Sequence, residues 1–194
     1  IVAASWLPSK EGLVIEKEAA EKPLDDWTTD AWETAVAHLE GHGVAEKKTR
    51  ENEAIPAGIN KEVFLAGKAI YAREGYCITC HQADGKGLAA SGFPPLSGSE
   101  WAMGNEERLI KVVLKGMAGP IEVNGKKYPG QVPMTPFNGL LNDNEVAAVL
   151  TYVRNSFGNK AAAVTPEKVK AVREAIKDKD GFYSPEELLQ QHPR

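Results

Sequence analysis

The stretch that decides the fold reads Cys77-Ile78-Thr79-Cys80-His81. It contains both cysteines of the chain, three positions apart, and a histidine follows them directly. On one helical turn, two thiols at this spacing can each form a thioether with a vinyl group of a haem, and the next side chain presents its imidazole to the iron. The motif therefore predicts one covalently attached haem and supplies one axial ligand, His81.

Two other kinds of site could use the same cysteines. A thioredoxin-like redox pair follows a strand and opens a helix, whereas a helical pattern precedes Cys77 and a polar, glycine-rich loop follows His81. A zinc site could combine the thiols with His38 and His42, which have the spacing of one helix face. That histidine pair is separated from the cysteines by a charged linker and leaves His81 without a role. Haem attachment explains more of the motif than either alternative.

The sixth iron ligand has three candidates, the methionines at 103, 117 and 134. Met134 lies between two prolines, in a segment that can form neither a helix nor a strand. Met117 ends an apolar helical pattern and is interpreted as core, and Met103 is expected in a turn. A thioether opposite an imidazole suits an iron that exchanges electrons without binding a substrate. We therefore expect Met134 to bind the iron opposite His81.

Composition excludes several function classes. A chain of 194 residues with 42% hydrophobic content can fill a core, and it contains no apolar run long enough to span a membrane. No stretch interleaves basic side chains with aromatic ones, so a nucleic-acid surface is not expected. Two cysteines are too few for a disulfide scaffold. The first residue, Ile1, and the lack of an apolar signal core lead us to expect a mature or excised product.

Charge and apolar spacing divide the chain into three parts. Residues 1–60 carry six basic and twelve acidic side chains, residues 61–160 carry eleven and nine, and residues 161–194 carry six of each. We predict an acidic N-terminal extension with a helix over residues 30–39, a haem domain over residues 61–160, and a helical C-terminal tail over residues 161–194. Further helices are expected over residues 60–75, 105–115 and 142–158, after Thr165 and after Ser184, and a hairpin around Asn124-Gly125.

Several motifs occur in the order typical of one family. They are a helix, the Cys77 to His81 motif, Gly85-Lys86-Gly87, Phe93-Pro94-Pro95-Leu96, Met134 in a proline-rich loop, and the helical segment from Leu141 to Arg154. Together they resemble a class I cytochrome c domain of the bacterial periplasmic, mono-haem type. The chain is similar to cytochrome domains that occur alone or fused to dehydrogenases and nitrite reductases. The resemblance implies an all-α cytochrome c fold around one covalent haem c, with a small β-hairpin and N- and C-terminal extensions.

The resemblance also assigns roles to individual residues. Cys77, Cys80, His81, Pro94 and Met134 would bind the haem, with His81 and Met134 as iron ligands and the Pro94 carbonyl accepting a hydrogen bond from His81. Gly67 and Tyr71 of the first helix would cross Val149 and Tyr152 of the last helix of the haem domain. Trp101, Tyr128 and Arg108 are candidate propionate partners, although ordinary packing explains them equally well.

The function implied is that of an electron-transfer protein or module, not an enzyme. It would carry single electrons between protein donors and acceptors by outer-sphere transfer, in the periplasm or another extracytoplasmic compartment where c-type haem is attached. Alternatives are an electron-relay module of a larger oxidoreductase, associated with a dehydrogenase or reductase, and a haem enzyme or gas sensor with an open sixth site. One set of lysines either attracts an acidic partner or is simply scattered over a solvated surface: Lys86, Lys111, Lys115, Lys126 and Lys127.

The segment from Asp178 to Glu187 resembles the later part of a calcium-binding EF-hand loop. Aligning its glycine, Gly181, with the loop glycine puts Ile176 at the first ligand position, where an oxygen is required. A turn followed by a capped helix is therefore expected instead.

Overall fold

A computed structural model describes residues 55–193 of the protein. The chain divides into two units, Ile1–Ala54 and Ile55–Arg194. The helix expected over residues 30–39, and with it His38 and His42, lies outside the described residues.

Residues 55–193 form a mainly helical domain with one small antiparallel hairpin, as the sequence predicts. In chain order the elements are α1 (Lys61–Tyr71), α2 (Cys77–His81), a 3₁₀ helix (Ala89–Ser91), α3 (Glu100–Met103), α4 (Glu106–Lys115), β1 (Ile121–Val123), β2 (Lys126–Tyr128), α5 (Asp143–Asn155), α6 (Pro166–Ala175) and α7 (Pro185–Gln191). Within this range no helix is both long and apolar enough to cross a membrane.

Side-chain caps fix where the main helices begin. The Asn60 side chain accepts a hydrogen bond from the Val63 N–H at the start of α1. At α5, Asn142 and Glu145 form a complete capping box. Each cap satisfies an amide that the helix itself leaves without a partner, which is why these starts could be predicted.

The ends of two helices and one short helix differ from the prediction. Helix α5 ends at Asn155 rather than near Gly158. Helix α1 ends at Tyr71 rather than near Gly75, and turns occupy residues 72–76. A short helix, α3, was not predicted, so Met103 ends a helix instead of lying in a turn. Ser99 caps α3 by accepting a hydrogen bond from the Trp101 N–H. A capping serine is difficult to recognise in the sequence when the helix that follows has only four residues and so shows no apolar spacing.

Helices α1 and α5 cross at a very short distance. A Cβ on Gly67 would collide with the Ala148 carbonyl oxygen, so only glycine allows the two backbones to approach this far. Around the crossing, the Tyr152 ring packs against the rings of Phe64 and Tyr71, at centroid distances of 5.2 and 5.4 Å.

The hairpin turns at Asn124 and Gly125, which both have positive φ, and pairs Val123 with Lys126. This is the tight turn that the Asn-Gly pair predicts. Its position beside α3 is fixed by the Trp101 indole N–H, which donates to the Glu122 carbonyl at 3.0 Å.

The C-terminal tail belongs to the same core. Helix α6 packs against both α4 and α5. Val169 of α6 and Leu188 of α7 are fully buried. The turn predicted before α7 is present, and Ser184 caps that helix through the Glu187 N–H.

Candidate haem site

An apolar cavity of about 200 Å³ lies beside α2. All the residues expected to bind the cofactor line it: Cys77, Cys80, His81, Pro94 and Met134. Its remaining walls come largely from apolar side chains of α3, α4, α5 and the hairpin, including Val149. The fold thus gathers two thiols, an imidazole and a thioether around one space with mostly apolar walls.

Both cysteine thiols are unpaired. They lie on the short helix α2, so the spacing that the sequence shows becomes one helical turn in space. Burial raises the pKa of the Cys77 thiol to about 11, and burial also raises the pKa of Cys80. Both groups are therefore neutral thiols that face the cavity without a disulfide between them.

The His81 ring is oriented by a single backbone oxygen. Its Nδ1 atom lies 2.9 Å from the Pro94 carbonyl oxygen. Because a carbonyl can only accept, Nδ1 carries the proton and Nε2 keeps its lone pair. Burial lowers the pKa of His81, while the bond to Pro94 partly opposes this. A neutral imidazole held in this way is a prepared metal ligand.

The Pro94 carbonyl is held in turn by a tight loop. Gly87 has φ of +68°, and a Cβ there would lie 2.5 Å from the carbonyl oxygens of Phe93 and Pro94. On the same loop, the Leu96 N–H donates to the Gly85 carbonyl at 2.7 Å. The sequence shows these glycines, but only the structure shows that Gly87 lets the loop pass close to the Phe93 and Pro94 carbonyl groups.

Two methionines, not one, line the cavity. The Met134 N–H donates to the Met117 carbonyl at 2.9 Å, so the two residues are paired as a short backbone bridge. Met117 packs against the hydrophobic core, as expected, but it is only half-buried and also borders the same cavity as Met134. Met103 does not line the cavity.

The residues present fit a covalent haem. Two free thiols on one turn, a neutral imidazole with a free Nε2, a thioether and apolar walls are the donors and the environment that haem c requires. By contrast, the part of the chain that the structure describes contains no group of three or more His, Cys, Asp or Glu side chains arranged to hold a metal ion.

Comparison with known proteins agrees with the geometry. The sequence profile of the family described as Cytochrome c matches residues 64–157. Over 116 residues the chain is 39% identical to "Cytochrome c-552" of Thermus thermophilus, a match that covers 55% of this chain and 83% of that protein. This chain belongs to the cytochrome c family. Its cofactor is therefore haem c, bound covalently, and its function is electron transfer.

Other relatives are parts of longer chains. The "Fructose dehydrogenase cytochrome subunit" of Gluconobacter japonicus is 33% identical over 108 residues, which is 55% of this cytochrome but 22% of that subunit. The "Gluconate 2-dehydrogenase cytochrome c subunit" of Pantoea cypripedii is 35% identical over 131 residues, which is 64% and 28% of the two chains. The same domain thus occurs as a cytochrome named on its own and within dehydrogenase cytochrome subunits.

The candidate propionate partners of this cytochrome have other partners in the structure. The Trp101 indole lines the cavity, but its N–H donates to the Glu122 carbonyl. Arg108 donates to the carbonyl oxygens of Glu100 and His192, at 2.9 and 3.0 Å, and stacks over the Trp101 ring. Tyr128 is buried in the hairpin core. The geometry favours the packing interpretation for Trp101 and Arg108.

The lysines of the cytochrome fall into two groups. Lys86, Lys126 and Lys127 are exposed. Lys111 is only 7% exposed, and Lys115 donates to the Lys179 carbonyl at 2.7 Å. The expectation that these lysines attract an acidic partner is therefore not supported for Lys111, which is buried against the C-terminal tail.

Proposed function

We propose that this cytochrome carries single electrons between protein partners through one haem c attached at Cys77 and Cys80, with His81 and Met134 as iron ligands. The observation that carries the proposal is the single apolar cavity that these four side chains share. When bound, the haem supplies an iron that changes oxidation state by one electron while both ligands remain in place.

The residues around the cavity have distinct roles in this proposal. The thiols of Cys77 and Cys80 anchor the cofactor, and the Pro94 carbonyl keeps the His81 ring turned with Nε2 available. The apolar walls exclude water, which keeps the environment of the site nearly the same in both oxidation states. With an imidazole and a thioether as ligands, no position is left for a substrate or a gas.

The ligand set is tested by redox-resolved absorption spectra of the purified cytochrome and of three methionine variants. A pyridine haemochrome assay first establishes one covalent haem per chain. In the oxidised wild type we expect the weak far-red band of sulfur-to-iron charge transfer. Met134→Leu should abolish that band and allow carbon monoxide to bind the reduced protein.

Two matched variants make the result specific. Met117→Leu tests the second methionine of the cavity, and Met103→Leu tests a methionine outside it. Both should keep the far-red band and exclude carbon monoxide. Loss of the band in Met117→Leu but not in Met134→Leu would assign the ligand to Met117 and overturn our assignment.

The partner surface is proposed to lie at the cavity mouth. Val132 lines the cavity and is 58% exposed. Leu88, which pairs with the cavity-lining Phe93, is 44% exposed. Lys86 lies two positions before Leu88 in the chain, and Lys126 and Lys127 belong to β2, which pairs with cavity-lining residues of β1. An apolar centre with basic neighbours suits a redox protein with an acidic surface, such as a dehydrogenase or reductase.

Stopped-flow electron transfer tests this surface with an acidic and a basic redox protein as partners. The rate with the acidic partner should fall as salt is added, and the combined change Lys126→Glu with Lys127→Glu should remove most of that dependence. Lys170→Glu, an exposed lysine of α6 that does not line the cavity, is the matched control. A rate that is independent of salt for the wild type would contradict the proposal.

We also infer that the cytochrome acts in the periplasm or an equivalent extracytoplasmic compartment, and that residues 61–160 form the haem-binding part between an N-terminal extension and a C-terminal tail. The location is supported by the cofactor, which the resemblance associates with attachment outside the cytoplasm. The domain division is supported by the separation of the chain into two units after Ala54.

Expression with and without an added secretion signal tests the location. We expect covalent haem only in the exported protein, and limited proteolysis should cut first between the two units.

A further inference from the structure

The C-terminal tail, residues 161–193, lies beyond the region that matches the cytochrome c family, which ends at residue 157. It nevertheless reaches the loop that contains Met134. We call residues 129–141, between β2 and the cap of α5, the methionine loop. The tail is connected to this loop in two places, once through residues 116–118 and once directly.

The first attachment is a backbone ladder. The Tyr183 N–H donates to the Gly116 carbonyl at 3.2 Å, and the Ala118 N–H donates to the Tyr183 carbonyl at 2.9 Å. Between them, Met117 accepts from the Met134 N–H. Residues 116–118 are therefore held between the tail on one side and the methionine loop on the other.

This ladder leaves little room for movement. Gly116 has φ of +72°, and a Cβ there would collide with the Met134 carbonyl oxygen and would lie 2.8 Å from the Phe182 ring. Next to it, the Lys115 ammonium donates to the Lys179 carbonyl at 2.7 Å, which ties the end of α4 to the tail. A shift of the tail would thus be transmitted to the segment on which Met134 rests.

The second attachment is the side chain of Arg173 on α6. Its guanidinium donates to the Asn138 carbonyl at 2.7 Å, to the Leu141 carbonyl at 2.9 Å, and to the Asp143 carboxylate at 2.7 Å. It also donates to the Asn138 side-chain oxygen at 2.6 Å. The Arg173 guanidinium therefore links the end of the methionine loop to the first turn of α5.

We propose that the tail acts as a brace that keeps Met134 on the iron, so that Arg173 and Lys115 are positioning residues for the sixth ligand. The proposal rests on the assignment of Met134 under the proposed function. In this proposal, a second ligand gains the room it needs at the iron when the methionine loop moves, and that movement strains the contacts between the loop and the tail. Removing the hydrogen bonds of Arg173 or of Lys115 therefore makes displacement of Met134 easier, although neither side chain lines the cavity.

Imidazole provides a direct test, because its neutral form, present above its pKa, can replace a thioether on oxidised iron. The dissociation constant for imidazole is measured from the loss of the far-red band in the intact cytochrome. Arg173→Met and Lys115→Met keep the length of the side chain but remove its donors. Each should tighten imidazole binding about five- to tenfold, since each loses hydrogen bonds from a charged group.

Lys111→Met is the matched control. Lys111 also belongs to α4 and also holds the tail, through Gln191 and His192 at 3.0 and 2.8 Å, but at its far end. It should change imidazole affinity less than twofold even where it lowers the free energy of unfolding as much as the test variants do. Arg173→Lys and Lys115→Gln, milder changes, provide the same comparison in case a methionine variant binds less haem.

The outcomes separate the two proposals. A wild type without the far-red band, or with the same imidazole affinity as Met134→Leu, would show that Met134 is not the ligand, and both proposals would fail. A wild type with the band, together with Arg173 and Lys115 variants that bind imidazole no more tightly than Lys111→Met, would overturn the brace alone.

Discussion

The Nδ1 atom of His81 lies 2.9 Å from the Pro94 carbonyl oxygen, and the loop that carries this oxygen has room for no side chain at Gly87. We predict that Gly87→Ala pushes the Pro94 carbonyl away and weakens the bond. The imidazole then becomes less basic and stabilises oxidised iron less. Loss of about 1 kcal/mol raises the reduction potential by about 40 mV, which a redox titration measures.

Gly125→Ala is the matched control for this prediction. Gly125 has φ of +73°, close to that of Gly87, but a Cβ there meets nothing within 4 Å. Both variants therefore carry similar backbone strain, and only one disturbs the His81 partner. An equal shift in potential in both proteins would show that strain alone, not the Pro94 bond, is responsible.

Much of the site could be predicted because its chemistry is local. Residues 77–81 place two thiols and an imidazole within one turn, and such spacing does not depend on the rest of the fold. Likewise, the Asn60 and Asn142 caps and the Asn124-Gly125 turn are short-range signals that the structure confirms. The roles of Pro94 and Gly67 came only with the family resemblance, since each depends on a distant partner.

The parts that were missed depend on long-range pairing. Met117 appears in the sequence as the end of an apolar helix, and nothing local shows that Met134 and Tyr183 pair on either side of it. In the same way, Lys111 appears as an exposed helical lysine until α7 covers it. The apolar spacing shows that the tail helices have one apolar face. It does not show which surface of the haem domain that face covers, because helical spacing carries no information about the residues packed against it.

The crossing of α1 and α5 gives a prediction for stability. Gly67→Ala should lower the free energy of unfolding by about 1 to 3 kcal/mol, because the added methyl group forces the backbones apart at Ala148. This loss outweighs the gain that alanine brings to a helix. Chemical denaturation measures the change. Gly139→Ala, where a Cβ meets nothing within 4 Å, should stay near the wild type, and similar losses in both would contradict a steric cause.

Removing the buried Arg154 of α5 is predicted to destabilise the protein strongly. It is 5% exposed and donates to the carbonyl oxygens of Ala102, Gly104 and Ala162. Arg154→Met leaves these acceptors without their donor and should cost about 3 kcal/mol of unfolding free energy.

Arg73→Met is the comparison for Arg154. Arg73 also contacts α5, through Glu145 at 3.3 Å, but its side chain is 44% exposed. An exposed ion pair contributes about 1 kcal/mol or less. Urea titrations of the two variants in the same oxidation state should therefore differ clearly, and equal losses would mean that burial of Arg154 adds nothing.

The end of α7 should make stability depend on pH through His192. Burial, and then the nearby Lys111 ammonium, lower the pKa of this histidine, against the opposing effect of Glu107. Arg108 and Lys168 add smaller contributions that also lower it. The folded protein therefore resists protonation at a pH where the unfolded chain accepts a proton. Since the unfolded state binds more protons in that interval, the free energy of unfolding falls as pH drops from the ordinary histidine pKa towards the lower folded value.

His192→Gln tests this dependence because glutamine keeps polar atoms but does not titrate. We expect the variant to lose less stability than the wild type between about pH 7 and pH 5, in urea titrations of the same oxidation state. Any effect of His81 and the iron ligands is common to both proteins and cancels in the difference. Lys111→Met, which removes the neighbouring cation, should reduce the difference between the pKa of His192 and its ordinary value and so flatten the curve in part. Parallel curves for the wild type and His192→Gln would show that His192 does not contribute.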